Sequence, residues 1–185
     1  MKRVVITGIG AVTAFGKTWE DVKAAFQRKQ NAVQAKTEWA ERYPELGANL
    51  GAEIHDYNPP AHWNRKQLRS LGRVSQFAVE AAELALASAN LLDENGIILP
   101  YLKEGTMGVA CGSSTGSTND VRDAAELLMT GKSDGFNANT YVRMMPHTTA
   151  ANIGIFFGLT GRIIPTSSAC SSGSQGIGYA YESIK

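Results

Sequence analysis

With 185 residues, 43% of them hydrophobic and 19% charged, the chain has room for one sizeable core and the balance of a globular protein, not of a disordered tail or a coiled coil. Eighteen basic against seventeen acidic side chains leave a formal charge of +1, so bulk charge gives no reason to expect nucleic acid or an anionic membrane as partner. Two cysteines, Cys111 and Cys170, make no disulfide framework; no charged-then-apolar leader precedes the first apolar run, and no stretch nears the ~20 apolar residues of a membrane span, so a cytoplasmic setting is expected.

Residues 3–7 (RVVIT) form a short apolar run closed by glycines, which predicts a strand buried on both faces. A helix follows at 18–29, with Thr18 as cap, Asp21 three residues on, and Trp19, Val22 and Phe26 on one face. Residues 31–64 show no sustained period and are expected to be an irregular excursion with one short strand at most. From 73 to 90, Val74, Phe77, Ala81, Leu84 and Ala85 recur at helical spacing, and the small alanines argue for close packing on a neighbour.

The segment 105–114 (GTMGVACGSS) predicts another buried strand, 119–131 a helix ending at Gly131, and 145–158 a helix opening at Pro146 and closing near Gly158. Residues 162–169 (RIIPTSSA) fit a strand whose Pro165 argues for an edge or a bulge. The remainder, to Lys185, fits a helix despite Gly173, Gly176 and Gly178. Each glycine weakens a helix by up to about 1 kcal/mol, so their presence asks for a close backbone neighbour, as in a helix buried on all sides. Strands alternating with helices predict an α/β layered fold with a largely parallel sheet.

Cys170 stands at the predicted strand-to-helix junction among Ser167, Ser168, Ala169, Ser171, Ser172 and Gly173. Unpaired N–H groups and the positive end of the helix dipole favour a thiolate there, and the same N–H groups suit an oxyanion formed at a thioester carbonyl. The small neighbours leave room for an acyl group. Against this, free cysteine is also among the most buried residue types. Cys111, inside a predicted strand and away from any helix start, is expected to be a core residue.

Three segments in order, RVVITGIGAVTAFG (3–16), MGVACGSSTGS (107–117) and PTSSACSSGSQGIGYAYESIK (165–185), resemble the β-ketoacyl-acyl carrier protein synthases, in particular the type II elongation class of the thiolase superfamily. The resemblance runs from the first strand to Lys185. It implies a thiolase-like layered fold, α/β/α/β/α in a complete subunit, with residues 1–185 as the N-terminal half and the C-terminal half outside this sequence. It implies that Cys170 is the acylated nucleophile, that Thr115 stands where acyl chain length is gated, and that the reaction is acyl transfer followed by decarboxylative condensation with malonyl carrier protein. Lys66 and Arg69 align with a patch that receives the acidic acyl carrier protein, with Ser70 where a further base often stands; surface bases are otherwise solvated.

A homodimer is likewise implied, with residues 150–170 as a contact surface, and no cofactor or metal. Two histidines that the family uses for decarboxylation belong to the second half, so condensation is not expected from these 185 residues alone. His55, His62 and His147 match neither motif and are expected to be structural, lacking a paired carboxylate. Were these residues to stand alone, the apolar helix after Cys170 would be exposed.

Other classes fit part of the same sequence. Gly8 and Gly10 after a strand suggest a dinucleotide fingerprint, but Thr13 occupies the third glycine's place and no acidic residue closes a second strand. A thiolase acting on coenzyme A thioesters shares the fold and the nucleophile, and activity with free coenzyme A separates it. A non-catalytic chain-length-factor-like subunit would have lost the nucleophile, which Cys170 retains.

Overall fold

The Thr18 side chain accepts a hydrogen bond from the Asp21 N–H, and Glu20 and Asp21 place negative charge in the first turn, so helix α1 (Trp19–Gln27) starts where the sequence predicts. The computed structural model describes residues 3–185. Helix α4 (Arg73–Ser88) is the long alanine-rich helix, α5 (Thr118–Thr130) ends on Gly131 at φ 71°, and α7 (Thr148–Phe157) ends on Gly158 at φ 66°. Both glycines adopt the left-handed conformation that side-chain-bearing residues resist.

Strands β3 (Val109–Gly112) and β4 (Ile163–Thr166) pair in parallel, from Val109 opposite Ile163 to Gly112 opposite Thr166. Helix α8 (Ser172–Ile184) leaves β4 after a 3-10 turn, Ala169–Ser171. The Ile163 side chain lies where Gly154 of α7 has no Cβ, while Ile164 shares a cavity with Ala180 and Ile184 of α8. Successive strand residues face opposite ways, so α7 and α8 cover opposite faces of the strand pair. Trp63, Leu71, Val79, Ile98, Leu102 and Phe157 form the core. No described helix is long and apolar enough to cross a membrane.

Several expectations are corrected. Residues 3–7 form no strand, and Val5 and Ile6 are 69% and 82% exposed. A Cβ on Gly8 would come within 2.2 Å of the Ala85 carbonyl, and one on Gly10 equally near that of Ala81. The segment is thus laid along α4, but a strand needs ladder partners, and among the described residues these have none. The close alanine packing is real, yet the deepest α4 positions are Ser75, Val79 and Glu80, not the expected stripe.

Helix α8 is not buried on all sides: Ile177 is 75% exposed, and of its three glycines only Gly176 has near backbone, at 3.3 Å from the Ala110 oxygen. The excursion holds more structure than expected, with a two-stranded antiparallel ladder, β1 (Gln34–Ala35) and β2 (Leu50–Gly51), around helix α2 (Thr37–Arg42). Helix α3 (Arg65–Leu68) follows it, capped by Asn64. Tyr57 stacks edge-on to Phe77 of α4, and the core residue Trp63 packs against Phe156 of α7, so the excursion is pinned to the core. The helix expected from Pro146 begins at Thr148, and α6 (Ala138–Met144) was not anticipated; an Asn137–Thr140 capping box opens it.

Candidate active site

Parallel strands deliver their following loops to one edge, and in open α/β sheets ligands bind outside the carboxyl ends of the strands. Here the loop 113–117 follows β3 and the turn 167–171 follows β4, and the Ser113 N–H donates to the Thr166 oxygen at 3.0 Å. Contact is close because Gly112 has no side chain: a Cβ there would lie 2.1 Å from the Ser172 carbonyl oxygen. Glycine therefore brings the end of β3 against the first turn of α8.

Cys170 sits in the 3-10 turn that runs into α8, and its side chain is exposed. Ala169 before it has φ 49°, a conformation costing a non-glycine residue about 1–2 kcal/mol. Hydroxyls surround this strained peptide. Ser172 and Ser114 donate to the Ala169 oxygen at 2.7 and 2.6 Å, and their oxygens are 3.0 Å apart. Ser172 also accepts from the Ser168 N–H at 2.8 Å, and Thr166 donates to the Ser172 carbonyl at 2.7 Å. The Cys170 N–H donates to no acceptor among the described residues. An exposed thiol, a free N–H on the same residue and a helix start bring together in one turn the groups that nucleophilic attack and oxyanion stabilisation require.

Thr115 is exposed, one residue beyond Ser114, and its carbonyl accepts from the Ser113 hydroxyl at 2.9 Å. It is therefore near the cysteine turn, but cavities of about 530 and 630 Å³ flanking β3 are lined by neither Thr115 nor Cys170. Cys111, opposite Pro165, is half-buried against the first cavity, and burial pushes its thiol pKa up.

Lys66 lies on α3 and Arg69 at its end, both exposed. The α3 end is tied toward the site region: Arg143 of α6 donates to the Arg69 carbonyl at 3.2 Å and to the buried Asp120 of α5 at 2.8 Å. Asn152 of α7 holds the Ser70 carbonyl at 3.2 Å.

Two histidines do have carboxylate neighbours, contrary to expectation. His62 is 2.8 Å from Glu83, which also accepts from Trp63, and His55 is 3.7 Å from Glu53, itself paired with Lys36. Glu83 comes from α4, 21 residues beyond His62, so spacing around that histidine concealed it, whereas Glu53 stands two residues before His55 and was open to a local reading. His147 stands at the N-cap position of α7, makes no capping bond with its side chain and is exposed. The sequence also hid Ser114 and Ser172 as a linked pair, since 58 residues separate them; their only trace was a hydroxyl-rich run beside each strand end.

The family description "Beta-ketoacyl synthase, N-terminal domain" matches residues 1–185. The chain is 25% identical over 184 residues to "3-oxoacyl-[acyl-carrier-protein] synthase 2" of Synechocystis, covering all of this chain and 42% of that protein. It is 31% identical over 191 residues to "Nodulation protein E" of Rhizobium meliloti, covering all of this chain and 43% of that protein. A crystal structure of a beta-ketoacyl synthase from Burkholderia phymatum superposes with a TM-score of 0.91 at 48% identity, again over the whole chain and 44% of that structure. The chain thus spans less than half the length of these proteins, and its α/β fold is the corresponding part of their thiolase-like one. The match across every residue and the superposition together place the chain in the beta-ketoacyl synthase family.

Proposed function

We propose that the chain supplies the nucleophilic half of a 3-oxoacyl-[acyl carrier protein] synthase, an acyltransferase that lengthens an acyl chain by two carbons. The observation that carries this is the exposed Cys170 thiol at the start of α8 with its own N–H unpartnered. The sulfur attacks the thioester carbonyl of an acyl carrier protein. The resulting oxyanion accepts from the Cys170 N–H and from a second donor, and collapse expels the carrier thiol to leave an acyl-cysteine.

Loss of carbon dioxide from malonyl carrier protein then supplies a carbanion that attacks the acyl carbonyl and expels the Cys170 sulfur, releasing the 3-oxoacyl chain on its carrier. The groups that assist decarboxylation are assigned to no residue of this chain. Thr115, beside the cysteine turn, takes the chain-length role, and a side chain this small admits a longer acyl group than a bulky apolar one would. Lys66 and Arg69 receive the acidic carrier protein. The Synechocystis relative's name supports the carrier-linked substrate, and the nodulation relative leaves room for a specialised fatty-acyl, polyene or polyketide product. The protein works in the cytoplasm as a homodimer.

The test is product formation. The intact protein, given acyl and malonyl carrier proteins, yields a 3-oxoacyl carrier protein two carbons longer, and Cys170→Ala abolishes it. Undiminished product from Cys170→Ala contradicts the proposal, as does turnover of coenzyme A thioesters with none on the carrier protein.

A further inference from the structure

A peptide unit is planar and trans, so the Ala169 carbonyl and the Cys170 N–H are two ends of one rigid plate pointing in opposite directions. Whatever fixes that carbonyl aims that N–H. Three donors converge on the Ala169 oxygen: the Ser172 N–H, the Ser172 hydroxyl at 2.7 Å and the Ser114 hydroxyl at 2.6 Å. The two hydroxyls come from separate segments and meet side by side at that oxygen, 3.0 Å apart, Ser172 from the first residue of α8 and Ser114 from the loop after β3. Ser172 is held in turn, accepting from the Ser168 N–H, and is 3% exposed. Charge drawn toward the carbonyl oxygen also polarises the N–H at the other end, as hydrogen bonds in a chain strengthen one another.

We propose that Ser114 and Ser172 are positioning residues that, by holding the Ala169 carbonyl with a pair of adjacent hydroxyls from two segments, aim and polarise the Cys170 N–H as an oxyanion donor. The proposal rests on Cys170 being the acylated nucleophile. It also links the sites: Ser114 precedes Thr115, so an acyl chain that displaces the loop after β3 loosens one of the two hydroxyl contacts on the cysteine turn.

The test compares two reactions of Cys170 in the intact protein. Acyl transfer from an acyl thioester passes through an oxyanion; alkylation by iodoacetamide does not. Ser114→Ala slows acylation about 10-fold or more at saturating thioester, with KM little changed, and alters Cys170 alkylation less than about 2-fold. Ser114→Thr, which keeps the hydroxyl, restores acylation. Ser172→Ala acts in the same direction, and because Ser172 is buried, the exposed Ser114 carries the decision if that variant misfolds. Unchanged acylation in Ser114→Ala overturns the proposal, and so does an equal fall in acylation and alkylation, the sign of a merely structural role. Acylation that survives in Cys170→Ala removes the nucleophile assignment beneath it, whereas loss in Cys170→Ala with normal Ser114→Ala rates removes the positioning role alone.

Discussion

Gly112 and the two cysteines carry the residue-scale consequences. A methyl group on Gly112 would lie 2.1 Å from the Ser172 oxygen and 2.5 Å from the Gly173 nitrogen, both backbone atoms of the first turn of α8, which the turn bearing Cys170 runs into. Gly112→Ala must therefore push β3 and α8 apart; a loss of about 1–3 kcal/mol in stability and a slower acyl transfer are expected, checked by denaturant unfolding and single-turnover kinetics. The cysteines differ in environment. Cys170 is exposed, whereas burial both shields Cys111 and raises its pKa, which lowers its thiolate fraction near neutral pH. Timed alkylation followed by peptide mass analysis should label Cys170 at least about tenfold faster. Equal or inverted rates would mean that the turn does not present its sulfur.

At the scale of elements, the glycines of α8 separate two causes that look alike in sequence. Gly176 lies 3.3 Å, by an added Cβ, from the Ala110 oxygen and the Gly112 nitrogen, and Gly178 meets nothing within 4 Å. Gly178→Ala is expected to raise stability by up to about 1 kcal/mol, and Gly176→Ala to give no such gain; thermal melts of the two variants decide. The same contrast shows what was legible beforehand. Helices α1, α4, α5 and α8 and the pair β3 and β4 could be read because caps, glycine stops and apolar runs are local signals.

Helix α6 escaped because its capping box uses Thr140 where a glutamate or glutamine is looked for. The excursion escaped because its order comes from distant partners, Trp63 with Phe156 and Tyr57 with Phe77. The strand expected at 3–7 failed for the converse reason: local pattern asks for a strand, but a ladder needs a neighbour, and these residues lie along α4 instead. Of the site, the cysteine turn was legible in a strand-to-helix transition rich in small residues. The Ser114–Ser172 contact and the Glu83 carboxylate beside His62 were not, because contacts across the fold leave no spacing to read; Glu53, two residues before His55, was a local signal passed over.

For the whole molecule, the proposed function requires a carrier-borne acyl group to be brought to an exposed thiol, and because these 185 residues are nearly balanced in charge, steering would depend on a local basic patch. Reversing Lys66 and Arg69 to glutamate should raise KM for an acyl carrier protein several-fold, with a weaker salt dependence, and leave the rate with a small acyl thioester near its starting value. An equal loss with both donors would mean structural damage. The central claim is that Cys170 accepts an acyl group, and mapping the mass adduct left by an acyl thioester on the intact protein tests it most directly. The acyl mass should appear on the peptide containing Cys170, vanish in Cys170→Ala and persist in Cys111→Ala; an adduct on Cys111 alone, or one retained in Cys170→Ala, contradicts the account.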